Sequence, residues 1–177
     1  MNAPQIILLV INLIGGAAVI GSYIYGLNAQ SGGASVLWGG VPENARRLYG
    51  ISMIVSAIGY FAFLFYIFFR LEPGQVSIAG VGGFTLLYVI FICILLPSAL
   101  WMPFTNLYVS NPNPGLWVGI RLVLVVVGIA SVALVLSLIT MEGKVSGVSY
   151  WAAVVGAGYF AFHTAVLDAV VWAALFK

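Results

Sequence analysis

Long apolar stretches separated by short polar segments dominate the hydrophobic pattern of this chain. Five such stretches cover residues 6–27, 48–69, 84–102, 116–139 and 148–176. As a helix, each is long enough to cross a hydrocarbon core of roughly 30 Å, which takes about 20 residues. Their apolar positions do not alternate as in a membrane β-barrel, and lipid offers an open strand no backbone partners. The pattern predicts an all-α integral membrane protein, a single domain over residues 1–177 with five transmembrane helices.

The composition supports this prediction and narrows the possible functions. Of the 177 residues, 63% are hydrophobic and 6% are charged, too few to cover the surface of a water-soluble domain. A net charge of +2 does not suggest nucleic acid as a partner. Because the chain has one His and one Cys, we expect neither a metal site nor catalytic residues, and predict that the protein is not an enzyme.

The positive charges between the spans predict an orientation. Five spans place the two termini on opposite sides of the membrane. The side of the C-terminus carries Arg46, Arg47, Arg121 and Lys177, and the other side carries Arg70 and Lys144. The positive-inside rule therefore predicts that the N-terminus is outside and the C-terminus is in the cytoplasm.

The fifth span contains a carboxylate and an alanine at every fourth position. The alanines are Ala153, Ala157, Ala161, Ala165, Ala169 and Ala173. Small residues at this spacing let helix backbones approach closely in lipid. On an α-helix Asp168 lies on the alanine stripe, which we expect to face the bundle or a second protomer because a carboxyl group is costly in lipid. Arg121, at similar depth in the fourth span, is predicted to pair with Asp168, either structurally or within a functional site.

His163 lies on the side of this helix opposite to the alanine stripe and Asp168, if each residue is rotated by 100° from the one before it. Three interpretations stay open: a hydrogen bond to another helix near Tyr159, a place in a ligand pocket, or axial ligation of a haem or chlorophyll pigment. A bis-histidine haem within one protomer is excluded because the chain has a single His.

Aromatic residues, 14% of the chain, are concentrated on the second and third spans. Pro97 removes a backbone hydrogen bond within the third span and predicts a kink beside Trp101. Aromatic walls, a kink and a few polar groups suit a flat hydrophobic ligand such as a porphyrin or sterol. Lipid-facing and interfacial aromatics are the alternative.

Several segments, taken in order, resemble the TspO/MBR family, the tryptophan-rich sensory proteins that include the mitochondrial translocator protein. YIYGL at residues 23–27 is similar to the end of that family's first helix, and LYGISM at residues 48–53 is similar to its second. LWMPF at residues 100–104 resembles the third-helix signature, and residues 159–172 resemble the fifth helix, with Asp168 at an asparagine position. The chain lacks most of the family's first-loop motif and the polar pair of its third helix.

The resemblance implies a five-helix bundle, often a homodimer, with a pocket for porphyrins and other flat hydrophobic compounds that opens toward the first loop. The ligand-binding positions that it implies are Trp38, Tyr49, Met53, Trp101, Phe162, Ala165 and Asp168. In this hypothesis Trp101 stacks on the ligand and the loop with Trp38 acts as a lid, while transport or sensing follows from binding.

Two other functions stay open. Short loops also fit an accessory or scaffolding subunit of a larger membrane complex, packed through the alanine-rich helix and binding a tetrapyrrole through His163. A proton or ion pathway through Asp168 has less support, since no polar chain leads to it in the sequence. Hydroxyls such as Ser52 and Ser56 are expected to bond to their own helix backbone.

Overall fold

The computed structural model describes residues 1–30 and 33–176, except for the side chain of Val81. Within that part of the chain, five helical segments are long and apolar enough to cross a membrane. They are α1 (Ala3–Asn28), α2 (Glu43–Arg70), α3 (Gly83–Ser110), α4 (Pro114–Thr140) and Val148–Leu175. The predicted all-α, multi-pass bundle is therefore confirmed.

The last membrane segment is not one uniform helix. It consists of α5 (Val148–Ala161), a π-helix that we call the π segment (Phe162–Trp172), and a final turn, α6 (Ala173–Leu175). A short 3₁₀ helix, the loop helix (Gly33–Trp38), lies between α1 and α2. Two-residue strands, β1 (Ser77–Ile78) and β2 (Val81–Gly82), pair as an antiparallel hairpin before α3. The loop helix and the hairpin mark the two ends of the bundle.

Two helix ends differ from the sequence-based bounds by five residues or more. α2 begins at Glu43 rather than at residue 48, and α3 continues through Pro103 to Ser110 rather than ending at residue 102. Polar residues follow Pro103, but they do not end the helix. Thr105 Oγ1 and Asn106 Nδ2 donate to carbonyl oxygens one turn back, at 2.8 and 3.0 Å. These side chains are thereby satisfied within the helix.

The helices pack in the order α1, α3, α4, α5 and α2 around the bundle. α1 packs along α3 but meets α2 mainly through polar contacts in its first half. Gln5 Nε2 donates to the carbonyl oxygen of Phe68 at 3.0 Å, and the Tyr60 hydroxyl donates to Asn12 Oδ1 at 2.6 Å. Beyond Asn12, toward the loop helix, α1 and α2 flank open space.

α2 and α5 approach closely at a pair of glycines. A Cβ atom built on Gly156 would lie 2.8 Å from the Cα atom and from the carbonyl oxygen of Gly59, closer than real side chains come. On the same helix Ala153 and Ala157 are fully buried. The first half of the alanine stripe thus faces the bundle, as predicted, and small residues permit this close packing.

The loop helix is docked against the end of the last membrane segment. Trp172 Nε1 donates to the carbonyl oxygen of Leu37 at 3.2 Å, and the backbone N–H of Gly40 donates to the carbonyl oxygen of Leu175 at 3.1 Å. Trp172 and Phe176 form an aromatic cluster here with ring centroids 4.5 Å apart. The first loop therefore closes this end of the bundle by packing.

We expect Gly156→Ala to destabilise the protein by about 1–3 kcal/mol, because the new methyl group would push α2 and α5 apart. Gly158→Ala is the matched control, since a Cβ atom at Gly158 meets nothing within 4 Å. Thermal unfolding in detergent should show a lower Tm for Gly156→Ala alone. Equal stability of the two variants would contradict the proposed close contact.

Candidate functional site

A cavity of about 730 Å³ lies within the bundle beside the gap between α1 and α2. Its rim includes the exposed side chains of Leu13, Ile20 and Phe61, so it opens on the lipid-facing side between these two helices. Most of its wall is apolar, and the volume falls within the range of roughly 300–1,000 Å³ typical of small-molecule sites. Access for a ligand would be sideways, from the membrane.

Polar side chains meet at the inner wall of the cavity because of the π segment. On an α-helix, residues five apart point about 140° away from each other at 100° per residue. In a π-helix each N–H reaches the carbonyl group five residues back, so residues five apart lie close together. His163 and Asp168 are five apart, and both line the cavity, with His163 Nε2 3.6 Å from Asp168 Oδ2.

The prediction that His163 and Asp168 lie on opposite sides of the fifth span is wrong, because both line the cavity, whereas Ala165 and Ala169 line the outside of the bundle. His163 is 7% exposed, and its Nδ1 atom lies 2.9 Å from Ser52 Oγ on α2. Of the three interpretations, a hydrogen bond to another helix near Tyr159 is the one formed, and the residue also reaches the pocket.

These side chains form a polar chain across the α2–α5 interface. The Tyr159 hydroxyl donates to Ser52 Oγ at 3.1 Å. Ser52 Oγ in turn lies 2.9 Å from His163 Nδ1, and the tautomer of the ring decides which of the two donates. A polar chain therefore leads to within 3.6 Å of Asp168, contrary to the expectation that Ser52 bonds to its own helix. It runs from Tyr159 to the cavity.

The predicted ion pair between Arg121 and Asp168 is not formed. Arg121 is exposed on the outer face of α4, next to the buried Ile120, whereas the ion-pair contact of Asp168 among the described residues is with His163. Similar depth in the membrane does not place two side chains on facing sides of their helices. Arg121 follows Ile120 directly, so its side chain is rotated about the helix axis by about 100° from the buried side chain of Ile120.

Two buried polar atoms beside the cavity have no hydrogen-bond partner in the described part of the chain. They are Ser56 Oγ and Trp101 Nε1, and both residues line the cavity. Buried polar atoms are normally paired, so unpaired ones call for an explanation. The Trp101 ring also lies 5.7 Å from that of Tyr23, another lining residue, between ring centroids.

Of the seven ligand-binding positions implied by the resemblance, the structure brings three to the cavity. These are Met53, Trp101 and Asp168. Sequence reasoning missed Tyr23 as a lining residue, although it lies in the segment that carries the resemblance. It also missed Ser56, for which the signal was its spacing of four from Ser52 on α2.

The other four positions lie elsewhere. Trp38 packs edge to face on Tyr49 at 5.7 Å, and the Tyr49 hydroxyl donates to the carbonyl oxygen of Leu167 at 2.8 Å. Phe162 is 45% exposed on the outside of the bundle, and Ala165 packs against α4. Trp38 and Tyr49 thus support the π segment and the closed end rather than the cavity wall.

Comparison of the chain with protein-family models, curated proteins and solved structures found no match.

Ser52→Ala should lower the free energy of unfolding by about 1–3 kcal/mol, because it leaves the buried Nδ1 atom of His163 without a partner. Ser22→Ala is the control, since the Ser22 hydroxyl donates to the carbonyl oxygen of Val19 within its own helix. Thermal unfolding in detergent measures the stability of both variants. If the two variants lose equally little stability, the Ser52–His163 contact contributes nothing.

Proposed function

We propose that this protein binds a flat hydrophobic small molecule, such as a porphyrin or a sterol, in the cavity between α1 and α2. The observation that carries the proposal is an apolar cavity of about 730 Å³ with unpaired polar atoms in its wall and its opening toward lipid. A hydrophobic ligand concentrates in the bilayer, so a lateral opening suits its entry. The ligand would lie against the ring of Trp101.

The kinship we propose is with the TspO/MBR family, supported by the segments YIYGL, LYGISM and LWMPF and by the five-helix bundle. Transport or sensing would be the consequence of binding. We further propose that the loop-helix end faces the cytoplasm, because Arg46, Arg47 and Arg121 are all near that end.

A second candidate is a scaffolding role, as a homodimer or within a larger membrane complex. A shallow groove of about 300 Å³ runs along the outside between α4 and the π segment. Its floor contains Gly128, Ala165 and Ala169, and small residues of this kind let another helix approach closely. This groove, rather than His163, is the feature that favours such a role.

Gly16→Leu should weaken binding of an uncharged porphyrin ester at least about tenfold, because a leucine there fills cavity space. Gly16 lines the cavity, and a Cβ atom on it meets nothing within 4 Å, so the fold has room for the change. Gly21→Leu is the control, since Gly21 is on the same helix, has equal room and does not line the cavity. Quenching of tryptophan fluorescence during titration in uncharged detergent measures the affinity.

The quenching should weaken in Trp101→Phe and persist in Trp151→Phe, since Trp151 is 62% exposed on the outside of α5. Absence of saturable binding by the unmodified protein, or equal affinities of the two leucine variants, would contradict the cavity as the site. The scaffolding role would then be the better account.

A further inference from the structure

Resting on the proposed function, we infer that the preferred ligand carries a basic amine on its apolar body, and that Asp168 holds this amine at the inner wall of the cavity. Three features of the described residues support the inference: the charge of the cavity wall, the unmet hydrogen-bonding capacity of Asp168, and the aromatic and polar groups that lie around it.

The cavity wall carries a carboxylate and, in the described part of the chain, no lysine or arginine. Arg121 is exposed on the outer face of α4, and the other arginines and Lys144 lie near the ends of the helices. A ligand carboxylate at the inner wall would therefore meet Asp168 without a compensating cation. In a medium of low dielectric constant, like charges repel strongly and an unpaired charge is costly.

Asp168 accepts no hydrogen bond from any residue that the structure describes. His163 Nε2, its ion-pair contact, is 3.6 Å from Oδ2, which is beyond hydrogen-bonding range. The side chain remains 28% exposed, and it faces the cavity. A carboxylate inside a membrane protein needs a donor or an opposite charge. A ligand ammonium group supplies both.

The neighbouring groups fit the rest of such a ligand. The rings of Tyr23 and Trp101 line the same cavity, and aromatic faces attract cations. Ser56 is 4% exposed, and its unpaired Oγ can donate to or accept from the ligand. Trp101 Nε1 can only donate, so a neutral acceptor on the ligand, such as a carbonyl oxygen, would satisfy it.

The test compares three derivatives of one porphyrin ring that differ only in their side groups: the uncharged ester, an amide ending in a primary amine, and the free dicarboxylate. Each is titrated against the full-length protein in uncharged detergent, so that the surface charge of the micelle does not contribute. We expect the amine to bind at least about tenfold more tightly than the ester, as a charge-assisted hydrogen bond allows, and the dicarboxylate to bind most weakly.

Asp168→Asn should reduce the advantage of the amine to within about twofold while the ester keeps its affinity, because the two side chains have nearly the same shape. Glu142→Gln makes the same chemical change outside the cavity and should leave the preference intact. As a measurement on the unmodified protein, a hydrophobic carbodiimide should label Asp168, and the amine should protect it.

The outcomes separate the inference from the proposed function. No saturable binding of the ester would contradict the proposed function itself. Binding of the ester without preference for the amine, tightest binding of the dicarboxylate, or an amine preference that survives in Asp168→Asn would overturn the inference and leave the proposed function standing.

Discussion

The wide turn of the π segment (Phe162–Trp172) is the constraint on which the site depends. It brings His163 and Asp168 to one face, where the first contacts α2 and the second faces the cavity. It also presents the carbonyl oxygen of Leu167 to the Tyr49 hydroxyl. The segment ends at Trp172, which donates a hydrogen bond to the loop helix. π-Helical turns within α-helices are frequent at functional sites. Here the polar wall and the closed end are built by the same segment.

The cavity results from an unequal distribution of helix packing. α2 and α5 meet backbone to backbone at Gly59 and Gly156, and α3 packs along α4. Of the long helices, α1 packs along α3, and its hydrogen bonds with α2 lie near Gln5 and Asn12. The gap that remains opens toward lipid, so the least enclosed helix forms one side of the cavity. Tight packing elsewhere holds the opposite wall in place.

The sequence was sufficient to predict the helical bundle but not the arrangement of the candidate site. Apolar length alone predicts five spans, and the spacing of the alanines predicts the burial of Ala153 and Ala157, because both follow from regular helical geometry. The position of His163 could not be predicted, since the π segment changes the periodicity on which that prediction relied. Pairing of Arg121 with Asp168 was inferred from depth, which carries no information about the direction of a side chain. The resemblance predicts a lid at the loop with Trp38, and the structure shows this loop docked on the π segment, with Trp38 outside the cavity lining.

Photoaffinity labelling tests the central claim, that the ligand enters between α1 and α2, most directly. The probe is an uncharged porphyrin ester with a diazirine group, and mass spectrometry identifies the labelled peptides in detergent. The account predicts labels on α1 between Leu9 and Tyr23 and on α3 near Trp101, suppressed by excess unlabelled ester. Saturable labelling confined to outward-facing positions of α4, such as Leu122 and Ile129, would contradict it.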